Sequence, residues 1–230
     1  VSKGTHKNIF WAISGTGTYA IFQWVTLSII SKYFNAEGVG LFSLGLAISM
    51  PVYALLGFQL KTFYATEHKD TINFSTYLSL RIIVTPIAII LISILGVFFT
   101  KNYYEFEILI SVCIVKGVEF LSDIFYGVFQ KYKRMNLMAC SLMMRGALSN
   151  IVLIITLFFF DSFALGILSI GLSWLIILYF FDYKISKGID SFSFKMDTEI
   201  LKLIFKTYKL SIALLISSLT ANLIRPMIKY

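Results

Sequence analysis

The stretch from about Glu107 to Gln130 is long and apolar enough to cross a bilayer, yet it carries Lys116, Glu119 and Asp123 within it. At about 100° per residue, Lys116, Glu119, Asp123, Tyr126 and Gln130 fall within a sector of roughly 80° on one side of a helix. The other faces are hydrocarbon. An ionised side chain at mid-bilayer costs about 2.5–3.5 kcal/mol on insertion-derived scales, so three of them facing lipid would forfeit most of the drive to insert. The polar stripe therefore has to face protein or a wet cavity, and that requirement says where to look for function.

The rest of the chain has the composition that such a stretch needs around it. Of 230 residues, 58% are hydrophobic and 14% charged, far more apolar than a soluble domain can bury. The net charge of +8 is carried by basic residues set singly between apolar segments, which fits the positive-inside rule and not a nucleic-acid surface. Cys113 and Cys140 both fall within apolar segments, so neither a disulfide framework nor a metal cluster is indicated. The first apolar segment is too long for a signal-peptide core and lacks a small-residue cleavage site, and is expected to stay as an anchor.

Seven spans are predicted, at roughly 9–31, 39–60, 75–99, 107–130, 137–160, 163–182 and 210–230, each near the twenty residues a bilayer requires. Alternating strand signals are absent, so the fold class is all-α, a polytopic membrane helix bundle. With the N-terminus cytoplasmic, thirteen basic residues from Lys3 to Lys209 fall on the inner side and three, Lys32, Lys101 and Lys229, on the outer. The organisation this predicts is a six-helix bundle over 1–183 and a cytoplasmic connector over 184–209. The first helix of a second, incomplete bundle then follows over 210–230, as in transporters built from duplicated repeats. Within the connector, Asp197 or Thr198 is placed to cap an amphipathic helix. Its Lys202, Lys206 and Lys209 face headgroups, opposite Ile200, Leu203, Ile204 and Tyr208.

Polar residues inside the other spans recur at helical spacing. Thr16, Tyr19, Gln23 and Thr26 share one side of the first span, beside Gly15 and Gly17 that permit close helix approach. Small residues pair at Ser43 with Ala47 and Gly45 with Ser49 in the second span, and Pro51 predicts a kink. Tyr77, Arg81 and Thr85 line one face of the third span, with Arg81 close enough to its end either to snorkel or to be buried. Ser141, Arg145 and Ser149 line one face of the fifth. The sixth, with Asp161 and Asp182 at its margins, reads as a structural or lipid-facing helix.

Six ionisable residues thus lie inside spans: Arg81, Lys116, Glu119, Asp123, Arg145 and Arg225. A purely structural arrangement would pair Lys116 with Glu119 and Arg145 with Asp123. It leaves a surplus of cations, and unpaired guanidinium and ammonium groups invite an anion, phosphate above all. The expectation is a wet, cationic central cavity that accepts a phosphate-bearing head group.

Several segments resemble the Wzx-type polysaccharide repeat-unit flippases of the multidrug/oligosaccharidyl-lipid/polysaccharide exporter superfamily. These are Gln59-Leu60-Lys61, Arg81, the run from Lys116 through Gln130, Arg134-Met135, Ser141, Arg145-Gly146 and Asn222-Leu223-Ile224-Arg225. The resemblance implies a multi-pass protein of the bacterial cytoplasmic membrane that moves undecaprenyl-pyrophosphate-linked oligosaccharides to the outer leaflet by alternating access. It implies lipid-linked oligosaccharide and membrane lipids as partners, with a polysaccharide polymerase and other assembly proteins nearby. Arg81, Lys116, Arg145, Arg225 and Gln23 are then the substrate-binding candidates, and Glu119 and Asp123 balance charge or carry a coupling proton. A drug or cation antiporter and a peptidoglycan-precursor flippase are the alternatives within the superfamily. A membrane-bound polymerase or acyltransferase is the alternative outside it. The outer connections are short, and there is no nucleophile–histidine pair, metal-ligand spacing or glycine-rich phosphate loop, so a non-enzymatic transporter without a cofactor or metal is expected.

Overall fold

A computed structural model describes residues 3–67, 72–190, 192, 199–200, 202–205, 207–208 and 212. The described residues form an all-α bundle: α1 (Lys3–Leu56), α2 (Leu60–Thr66), α3 (Phe74–Phe99), α4 (Tyr103–Lys131), α5 (Met135–Phe160) and α6 (Phe163–Ile177). A π-helical turn (Leu178–Tyr183) then leads into α7 (Lys184–Ile189). The seventh predicted span, and with it Asn222, Arg225 and Pro226, lies outside the described residues, as do Asp197, Thr198, Lys206 and Lys209.

The first two predicted spans are one element with a break. Phe34 and Asn35 leave helical geometry, Asn35 with φ 56° and ψ −162°. Phe22, Gln23, Thr26 and Leu27 line a common slot with Phe42 and Leu46, so the chain folds back on itself there. At Pro51 the backbone keeps helical φ/ψ values. The interruption comes at Gly57-Phe58-Gln59, where Phe58 and Gln59 take left-handed φ values of 47° and 51°. The chain then restarts as the short α2, and the second span ends at Leu56 instead of residue 60.

Among the described residues, four helices are long and apolar enough to cross a membrane: His6–Leu56, Phe74–Phe99, Met135–Phe160 and the continuous run Phe163–Ile189. Their outward faces carry Ile87, Ile90, Phe98, Ile154, Phe158 and Leu172, all exposed. Water would not tolerate so large an apolar belt on a monomer, and lipid does. Helix α4 is as long as the three shorter of these but carries charges, and it occupies the middle, touching α1, α2, α3, α5, α6, the π turn and α7. Its start is fixed by Asn102, whose Oδ1 accepts from the Glu105 N–H at 2.9 Å, and Lys131 in the last turn complements the helix dipole. Around it Ile108, Val112, Leu153, Ile167 and Trp174 form one apolar cluster, and Tyr64, Phe74, Tyr77, Ile124 and Phe125 a second.

The connector does not lie free on headgroups in its described part. Leu203 is fully buried in the second cluster, with Ile200 and Ile204 packed against it, and Phe192 meets the Phe74 ring edge-on at 4.9 Å. The aromatic pocket offered by α2, α3 and α4 competes with the membrane surface for that apolar face. Helical backbone also runs on to Ile189, six residues beyond the predicted end of the bundle at residue 183.

Close contact between α1 and α5 rests on glycine. A Cβ at Gly15 would stand 2.6 Å from the Ala139 Cα, whereas one at Gly17 meets nothing within 4 Å. Gly15→Val should therefore destabilise the bundle by about 1–3 kcal/mol, and Gly17→Val by far less. Thermal unfolding in detergent, followed by size-exclusion fluorescence, checks this; equal losses for both would refute the packing.

Candidate functional site

The polar stripe of α4 opens onto a cavity of about 660 Å³, in whose wall Lys116, Glu119, Asp123, Tyr126 and Gln130 all stand. The facing walls are Thr16 and Tyr19 of α1, Tyr53 and Gly57 at the end of its returning half, Lys61 of α2, Arg81 of α3, and Met138 and Leu142 of α5. These residues sit toward the end of the bundle that holds the N-terminus and the Lys131–Arg134 turn. The opposite end, near Asn35, Asn102 and Ser162, contributes none of the lining.

Two clusters of charged side chains share the cavity. Lys116 Nζ lies 2.6 Å from Glu119 Oε2, the pairing expected from i,i+3 spacing, and the Tyr19 hydroxyl donates to Glu119 Oε1 at 3.4 Å. Nearer the mouth, Asp123 takes Lys61 at 2.9 Å and Arg81 at 4.0 Å, one carboxylate between two cations. The Arg81 side chain is 3% exposed, so it is buried and does not snorkel. Its guanidinium lies 3.8 Å from the Phe120 ring centre, and its Nε has no partner among the described residues. A desolvated cation–π contact contributes about 2 kcal/mol, whereas Lys61–Asp123, with both side chains partly exposed, contributes at most about 1 kcal/mol. Arg81 is thus fixed by packing, and Lys61 is held loosely enough to exchange partners. The cavity holds three cations against two carboxylates, a net +1.

Arg145 belongs to a different site. It is 1% exposed, does not line the cavity, and is ion-paired with Asp182, itself fully buried. The purely structural alternative that paired Arg145 with Asp123 does not hold, since Asp123 takes Lys61 and Arg81 instead. The sixth helix, expected to be structural or lipid-facing, has a structural role of a specific kind, because its π turn supplies the partner of Arg145. A π turn adds a residue to one helical turn and re-aims the side chains after it. That is how an acid at the end of an apolar run comes to point inward. Tyr126 connects the two sites: its hydroxyl is 3.0 Å from Ser141 Oγ, and its ring stands 5.4 Å from the Arg145 guanidinium.

Gln23 lines a smaller slot of about 80 Å³ deeper in the bundle, shared with Tyr19, Lys116, Val115 and Trp174. Lys61, absent from the sequence-based set of binding residues, stands in the cavity with Arg81 and Lys116. Its position at the end of a span made it look like an ordinary inner-side lysine. Arg225 lies outside the described residues.

Over 181 residues the chain is 24% identical to the capsular polysaccharide biosynthesis protein CapF of Staphylococcus aureus, an alignment covering 78% of this chain and 43% of that protein. The chain thus spans less than half the length of this relative. No family model matches, and no solved structure matches.

Removing one member of a buried pair leaves the other charge stranded. Asp182→Leu alone should cost about 3–5 kcal/mol, and the double variant Arg145→Met/Asp182→Leu should regain most of it. Melting midpoints of the three proteins test this. A double variant no more stable than the single one would exclude the pair.

Proposed function

We propose that this chain is the N-terminal, anion-binding half of a flippase that moves undecaprenyl-pyrophosphate-linked oligosaccharide repeat units from the inner to the outer leaflet. The observation that carries the reading is the open cavity in which Lys61, Arg81 and Lys116 outnumber Glu119 and Asp123. Similarity to a capsular polysaccharide biosynthesis protein supports a role in building a bacterial polysaccharide.

The physical sequence is as follows. The basic end of the bundle faces the cytoplasm of a bacterial inner membrane, with the N-terminus inside. Pyrophosphate enters at the mouth, displaces Asp123 from the loosely held Lys61, and comes to rest against Arg81 and Lys116. The sugars occupy the wide polar part of the cavity. A second bundle closes the open side, and rocking of one bundle against the other turns the site outward. No bond is made or broken, so the role is transport and not catalysis. A polysaccharide polymerase then takes up the delivered unit. Arg145, paired with Asp182 away from the cavity, supports the wall and does not hold phosphate. The excess of cations disfavours a drug or cation antiporter, which would need a cavity dominated by carboxylates.

In the full-length protein, Arg81→Gln and Lys116→Gln should each lower polymer export by ~10-fold or more at unchanged membrane abundance, the scale of a lost charge-assisted hydrogen bond. Surface polymer quantified against protein level measures it. Export at the parental rate in both variants would remove the phosphate site from this cavity.

A further inference from the structure

The small slot next to the cavity has the opposite chemistry from its neighbour. It lies between the two halves of α1 and against α4, α5 and α6, with Phe22, Leu46, Val112, Val115 and Ile170 in its wall and only a few polar groups, Gln23 and Thr26 among them. Lys116 and Tyr19 line both spaces, so the slot and the cavity adjoin at these two residues. The slot residues sit near the middles of their helices, whereas the cavity extends toward the basic end.

We infer that the slot receives the isoprenyl unit adjoining the pyrophosphate, so that this half of the protein recognises the lipid carrier as well as its charge. The inference rests on the proposed phosphate site. It follows from the order of chemistries along the molecule: a wide polar space, a cation, then an apolar slot. An amphiphile in the inner leaflet presents the same order, with sugars toward the cytoplasm, pyrophosphate next, and hydrocarbon toward the bilayer centre. Size agrees. At about 80 Å³ the slot is smaller than the ~150 Å³ apolar cavity that takes up benzene, so it admits a branched chain segment and not a sugar ring. Position agrees too, because a phosphate held by Lys116 has its first carbon substituent within reach of the slot that Lys116 also lines.

Binding of two probes to the full-length protein in nanodiscs tests this: inorganic pyrophosphate and geranyl pyrophosphate, each by calorimetry. Geranyl pyrophosphate should bind ~10-fold or more tightly than pyrophosphate, since a few buried methylene groups suffice for that factor. Leu46→Trp and, separately, Val115→Phe, which fill the slot, should bring geranyl pyrophosphate down to the affinity of pyrophosphate while leaving pyrophosphate binding unchanged. Retained pyrophosphate binding shows that a variant is folded. Equal binding of the two probes to the parental protein, or an advantage for geranyl pyrophosphate that survives both fillings, would overturn the slot assignment while leaving the phosphate site standing. Failure to bind pyrophosphate at all would overturn the phosphate site and this inference together.

Discussion

Charges placed at the centre of an apolar bundle have to be answered by other charges, by aromatic rings or by water, and the arrangement of this protein follows from how α4 meets that demand. Its polar stripe cannot face lipid, so the helix is surrounded: α3 and α2 bring Arg81 and Lys61 to Asp123, and α1 brings Tyr19 to Glu119. The four apolar helical runs found among the described residues carry the hydrocarbon boundary in its place. The cost of burying ions is thereby met locally, with contacts that differ in strength: a guanidinium locked over Phe120 beside a lysine shared loosely with solvent.

That contrast links packing to function. A site made only of tight, fully matched pairs would be inert toward an incoming anion, because every partner would have to be replaced at full desolvation cost. The buried Arg145–Asp182 pair is of that kind and stays out of the cavity. The cluster at Asp123 is of the other kind, with one carboxylate divided between two cations and an Arg81 Nε that has no partner among the described residues. An anion with several oxygens can improve on it. The backbone breaks at Asn35, inside α1, and at Phe58-Gln59, between α1 and α2, place the returning half of α1 and α2 where they wall the cavity.

Much of this was legible in the sequence, and the rest was hidden for identifiable reasons. The helical period placed Lys116, Glu119, Asp123, Tyr126 and Gln130 on one face, and all five line one cavity, because spacing along a regular helix fixes direction. Tyr77, Arg81 and Thr85 are buried together for the same reason. Asp182 was missed because a π turn breaks the period that the reading assumed. Lys61 was missed as a binding residue because a left-handed turn at residues 58–59, which no glycine or asparagine there announces, swings α2 across the mouth. The connector helix was placed on the membrane surface because nothing local reveals an aromatic pocket assembled from α2, α3 and α4. Local pattern determines which way a side chain points; partners remote in sequence depend on tertiary packing that it does not encode.

Water and anion access to the stripe is the central claim, and cysteine labelling measures it most directly. With Cys113 and Cys140 replaced by alanine, Thr16→Cys puts a thiol in the cavity wall and Ile82→Cys puts one on the lipid-facing side of α3 beside Arg81. In nanodiscs holding the full-length protein, charged methanethiosulfonates should modify the thiol at 16 and spare the one at 82, with the anionic reagent several-fold faster than the cationic one in a field set by net positive charge. A thiol at 16 that is silent, or that prefers the cationic reagent, would contradict the account.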